Sequence, residues 1–194
     1  MNDEEKKKRR EDDILNAGIT GASYETVQKF GDAVKQHYVA YSGVDNETGR
    51  KLVKSLKSIS KEKINPDYRF NNIRQQAGYS AEVKDAARVS AENIIKGKPV
   101  KKVRFDDLGG VNHQLYDSVY TDANGNIIEG SGKQMKFLGA SEKDPANKGN
   151  VRRALGKLKS KKCDKYFESD VDVEVPREQY RPMLESLDLE IQGL

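Results

Sequence analysis

The chain has 194 residues, of which 35% are hydrophobic and 34% charged, with a formal net charge of +4. That is room for one main domain and a smaller appendage. A single cysteine, Cys163, excludes an internal disulfide and a cysteine-based zinc site and fits a reducing, cytoplasmic setting. No apolar run nears the roughly 20 residues needed to span a bilayer, and the charged start lacks the apolar heart of an export signal, so no membrane partner is expected.

Met1 to Asp13 mixes both signs without an apolar face and is expected to be disordered or a frayed helix, within a flexible N-terminus over residues 1–20. Residues 21–74 read as a helical appendage. Ser23 is placed to cap a helix, with Glu25 in its first turn. Val27, Phe30, Val34, Tyr38 and Tyr41 then recur at helical spacing up to Gly43. A second helix is expected over Glu47 to Lys61, its stripe made by Leu52, Leu56 and Ile59, and Asn65-Pro66 ends it. Two such helices bury little alone. They are expected to pack on the main domain or on a second copy, which makes a homodimer through the N-terminal helices one expectation.

The main domain is read over residues 75–194. Tyr68 to Gln76 suits a short helix, Gly78 interrupts, and Ser80 caps a further helix that stops at Gly97. Glu82 falls in its first turn, where the helix macrodipole favours a carboxylate. Pro99 to Phe105 reads as a strand. Asp106 and Asp107 then precede Gly109-Gly110, as in a turn, with the rim of a metal site as the alternative for both. His113 follows in a loop, either structural or a general base.

Two runs rich in β-formers, Leu115 to Thr121 and Asn126 to Leu138, flank Asp122-Ala123-Asn124-Gly125. Asn-Gly between such runs signals a hairpin. With a two-residue turn Ala123 pairs with Asn126 and Asp117 sits opposite Gly132. Asp117, Gln134 and Lys136 then share one face, unless a bulge at Gly130-Ser131-Gly132 shifts the register. An acid, an amide and a lysine on one face suit a hard cation such as magnesium acting on phosphate. The oxygens hold the ion and the lysine meets developing negative charge.

Asp144-Pro145 is a plausible helix start. Val151, Leu155 and Leu158 mark its buried face, leaving Arg152, Arg153, Lys157 and Lys161 outside. Val171 to Val175 alternates as a strand ended by Pro176, and Arg177 to Leu187 reads as a last helix. Charge is unevenly placed. Arg50 to Arg74 holds eight Lys or Arg against Glu62 and Asp67, and Lys143 to Lys165 holds nine against Asp144 and Asp164. Glu168 to Leu194 holds eight acids against Arg177 and Arg181. Basic blocks of this kind are either solvated faces or the footprint of an anionic partner such as nucleic acid.

From Ser80 the expected order is helix, three strands, helix, strand, with a glutamate on the first helix, an aspartate in the second strand and Gln-x-Lys in the third. In this order and these residues, from about Gln75 to Pro176, the chain resembles the PD-(D/E)XK nuclease superfamily, which includes nuclease domains of bacterial polymorphic toxins and mobile elements. The resemblance implies an α+β, α/β-like fold: a helical N-terminal arm followed by an αβββαβ restriction-endonuclease-like core with a mixed sheet. It implies a metal-dependent nuclease cleaving phosphodiester bonds of DNA, or of RNA. Asp117, Gln134 and Glu82 would hold Mg2+ or Mn2+, and Lys136 would orient water or stabilise the transition state. Arg152, Arg153, Lys157 and Lys161 would grip backbone phosphates. Two positions depart from the family pattern: Gln134 stands where an acid is usual, and Tyr116 where a proline often precedes the aspartate. The rival expectations are a non-catalytic nucleic-acid-binding or structural protein with a degenerate nuclease core, and a metal-independent ribonuclease built on His113.

Overall fold

A computed structural model describes residues 3–110, 113–138, 151–169 and 171–193. Helix α1 runs unbroken over Asp3–Ser42, followed by a short α2, Leu56–Ile59. Helix α3 covers Arg69–Ile95. Strands β1 (Lys101–Arg104), β2 (Ser118–Thr121) and β3 (Lys133–Met135) follow, then α4 (Val151–Leu158), α5 (Lys161–Glu168), β4 (Asp172–Glu174) and α6 (Arg177–Gln192). The fold is mixed α and β. Its sheet has the order β1-β2-β3-β4, with β1–β2 and β2–β3 antiparallel and β3–β4 parallel. Parallel neighbours need a crossover, and α4 and α5 lie on it. No helix among the described residues is long and apolar enough to cross a membrane.

Several local expectations are corrected. The first 20 residues are helical from Asp3 onward, and Ser23 lies inside α1 instead of capping it. Nothing between Asp3 and Ser42 forbids a helix: there is no proline, and Gly18, Gly21 and Gly31 each cost only about 1 kcal/mol. The stop at Gly43 holds, with φ 82°. In place of a helix over Glu47 to Lys61 there is only one turn. Ser55 caps it, accepting the Ser58 N–H while Ser58 Oγ accepts the Ser55 N–H. Gly78 and Ser80 do not open a helix but lie within α3, so Glu82 sits mid-helix, beyond the reach of the N-terminal dipole. The boundary drawn at residue 74 likewise falls inside α3. The expected start at Asp144-Pro145 lies outside the described residues.

Three apolar clusters hold these elements. Ala40, Ile59, Val83 and Ala87 join α1, α2 and α3, with Tyr79 packed against them. Ala154, Leu155 and Met183 join α4 to α6. Cys163, Tyr166 and Val171 lie beneath Leu115, Tyr116 and Val173. The α3 side of β1 is charged instead. Lys102 and Arg104 are 3% and 2% exposed. Lys102 Nζ bonds Asp85 at 2.6 Å and both carboxylate oxygens of Glu174 at 2.6 Å, tying α3, β1 and β4 together. The geometry matches: three helical residues rise about 4.5 Å and two strand residues about 6.6 Å. Glu82 and Asp85 on α3 therefore face Arg104 and Lys102 on β1.

Candidate active site

The hairpin brings Asp117 to Gln134 by a longer route than expected. Gly125 (φ 84°) makes the turn, but Asp122 N–H bonds Asn126 O and Thr121 pairs with Ile127. The loop thus has one residue more than a two-residue turn. Three further residues are then taken up before Ser118 pairs with Lys133. The bulge is held by Ser131, whose Oγ accepts the Tyr120 N–H at 3.0 Å and donates to Ile128 O at 2.6 Å. Relative to the expected register the net slip is two residues. Side chains alternate with period two, so an even slip keeps the face. Continuing the register sets Asp117 against Gln134 itself instead of diagonal to it.

The contacts agree. Gln134 Nε2 donates to Asp117 Oδ2, and the Met135 N–H donates to the same oxygen at 2.8 Å. Gln134 is buried and donates from its nitrogen, so it anchors the aspartate instead of standing beside it as an oxygen ligand. Burial pushes the Asp117 carboxyl above its ordinary pKa, against the pull of the Met135 N–H and of Lys136 nearby. The Lys136 ammonium also lies 5.0 Å from the centre of the Tyr166 ring.

Glu82 meets this group from α3. Glu82, Asp106 and Asp117 line one cavity of about 260 Å3 with Tyr79, His113 and Tyr116, and among the described residues no lysine or arginine lines it. Gln134 and Lys136 lie outside that lining. Burial, then the Asp117 carboxylate, raise Glu82 to about 7, against the pull of Arg104. Arg104 is the residue that sequence reasoning missed. Its Nε donates to Glu82 Oε2 at 3.2 Å and its Nη2 to Asp106 Oδ2 at 2.6 Å, so it fixes two of the three carboxylates. Its sequence signal was an arginine two residues from Lys102 on a strand, opposite two acids one helical turn apart.

The other candidates are placed as follows. Asp107 does not line the cavity. Its Oδ1 accepts the Val53 N–H at 2.7 Å and its carbonyl accepts from Arg50 at 3.3 Å, clamping the segment before α2. His113 Nδ1 accepts the Leu115 and Tyr116 N–H groups at 3.3 Å, and its ring stacks on Tyr116 at 4.1 Å. His113 is among the residues that line the cavity. Arg152, Arg153 and Lys157 are exposed on α4, while Lys161 is exposed at the start of α5, on a different helix from the other three.

Among the described residues no three His, Cys, Asp or Glu side chains are set to hold a metal ion together. Two carboxylates are enough for magnesium, which keeps its waters and takes substrate phosphate as further ligands. Asp117 Oδ1 and Glu82 Oε1 carry no hydrogen bond among the described residues, and the site's excess of negative charge suits a divalent ion. Compared with known families, curated proteins and solved structures, the chain matches none.

Proposed function

We propose that this chain is a metal-dependent nuclease with a restriction-endonuclease-like core, hydrolysing phosphodiester bonds of DNA or RNA. One observation carries the reading. An aspartate leading into the second strand and a glutamate of the preceding helix meet in one cavity rich in carboxylates, and the lysine just past the third strand lies outside its lining but near enough to pull on the aspartate. The sheet order, with antiparallel β1–β2–β3 and a parallel β4 after a helical crossover, supports the same architecture.

Asp117 and Glu82 hold the ion, Mg2+ or Mn2+, with Asp106 at the rim. When bound it lowers the pKa of a water and offsets charge on the scissile phosphate. Gln134 and the Met135 N–H hold Asp117 in one orientation, while Arg104 does the same for Glu82. Lys136 places positive charge where the phosphoryl oxyanion develops. Arg152, Arg153, Lys157 and Lys161 contact backbone phosphates without reading bases, so affinity falls steeply with salt.

The test is cleavage of supercoiled plasmid and of single-stranded RNA with Mg2+ or Mn2+. Activity lost on chelation, and reduced at least about 100-fold by Asp117→Asn or Lys136→Ala with unchanged melting, supports the reading. No cleavage of either polymer with either metal overturns it. A second reading, a nucleic-acid-binding core without catalysis, is favoured by Arg104 already bridging Glu82 and Asp106 and by Gln134 donating to Asp117. Its signature is salt-dependent binding with no cleavage.

A further inference from the structure

The longest element buries little of its length. Among the described side chains, Ala33 and Ala40 are the buried hydrophobic residues of α1, and every described side chain from residue 7 to residue 28 is exposed. Helices in proteins draw most of their stability from packing one face, and Gly18 and Gly21 weaken this stretch further. α1 presents apolar surface that the described chain does not itself cover.

Its apolar residues say where. Tyr24, Val27, Phe30, Val34, Tyr38 and Tyr41 are between 53% and 72% exposed. With Gly31, the series 24, 27, 31, 34, 38, 41 alternates steps of three and four, which is a heptad seam. At about 100° per residue, Val34 and Tyr38 point well away from Ala33 and Ala40, the side that meets α3. We propose that this seam is a dimer interface on which a second copy of this chain lays its own α1 antiparallel.

The seam is complementary to itself. About a two-fold axis between Asp32 and Ala33, Tyr24 meets Tyr41, Val27 meets Tyr38, and Gly31 meets Val34. The small residue thus sits beside a branched one at the centre and the large rings lie outside. Such an isologous contact closes as a dimer. The flanking heptad positions are Ser23, Gln28, Phe30, Lys35, His37 and Ser42. The one formal charge, on Lys35, is already paired with Asp45 at 3.1 Å and with Glu47, so no like-charge barrier opposes the pairing. From the exposed aromatic and valine area, each copy buries about 700 Å2. The pair then reaches the lower part of the range for stable interfaces, about 1,200–2,000 Å2 in total.

The test is sedimentation of the full chain across a dilution series, with far-UV dichroism on the same samples. A dimer with Kd on the order of 1 μM is expected, with helicity falling as it dissociates. Val27→Glu with Val34→Glu should give a monomer whose body still melts cooperatively, since both side chains are exposed. Under mild oxidation Tyr24→Cys with Tyr41→Cys should crosslink two copies, and Tyr24→Cys alone should not. A wild-type monomer well above that concentration overturns the proposal. So does a dimer indifferent to the two glutamates, or crosslinking by Tyr24→Cys alone, which would mean parallel helices.

Discussion

Glu82 sits where its charge costs the fold. A carboxyl raised from 4.5 to about 7 is held protonated by the folded state across that span. Its contribution to stability is therefore present below pH 4.5 and lost as the pH climbs to 7. The full swing is on the order of 3 kcal/mol. Urea unfolding at pH 5 and pH 8 should show Glu82→Gln flattening this dependence, and Asp117→Asn narrowing it, because Asp117 is the second cause of the shift. An unchanged pH dependence in Glu82→Gln would mean that the glutamate is merely Arg104's partner. Asp85 behaves oppositely. Burial alone would raise it, but the Lys102 and Arg88 hydrogen bonds outweigh burial and hold its carboxyl below the ordinary 3.8. Its stabilisation is present above that value and is lost as the pH falls through the lowered folded one. Lys102→Met leaves the partly buried Asp85 and Glu174 without their cation and should cost about 3 kcal/mol in urea unfolding. A loss below about 1 kcal/mol would contradict that role.

The hairpin shows what an element can disclose before any coordinates exist. Asn124-Gly125 announced the turn, and period-two alternation put Asp117, Gln134 and Lys136 together. The glycines at 130 and 132 marked the place of a bulge but not its size, and the face survived because the slip is even. Deleting Ser131 makes it odd and should turn Gln134 and Lys136 to the other side of the sheet, abolishing the metal binding proposed for Asp117 as read by calorimetry. Gly132→Ala tests the same junction differently. A Cβ there would lie 2.5 Å from Cδ1 of Tyr116, whose ring also lines the cavity. A loss of about 2 kcal/mol is expected, read as a lower urea midpoint. What could not be read has physical causes. Gly78 and Ser80 resemble a stop and a cap, yet the burial of Val83 and Ala87 on one continuous helix outweighs a glycine's cost. Lys102 and Arg104 look like a solvated strand face. Only their pairing with Asp85, Glu174, Glu82 and Asp106 allows burial, and pairing across elements has no local signature.

At the scale of the molecule, α1 divides into a part that supports the body and a part that does not. Ala40 belongs to the cluster of Ile59, Val83 and Ala87, against which Tyr79 packs. Tyr79 in turn lines the cavity with Glu82. The last turns of α1 therefore hold the segment of α3 that carries a site residue, although Gly43 and the glutamate are far apart in the chain. Removing residues 1–22 should move the melting temperature of the body by no more than about 2 °C, since no described side chain there is buried. It also leaves the seam from Tyr24 to Tyr41 in place. Removing residues 1–44 takes Ala33 and Ala40 away and opens the α3 cluster to water. Losing several buried apolar contacts from a chain with a stability on the order of 10 kcal/mol should lower the melting temperature by about 10 °C or more, and with it any metal-dependent cleavage. Equal melting of the two truncations would show that α1 contributes nothing to the body and that Glu82 is positioned by α3 and β1 alone.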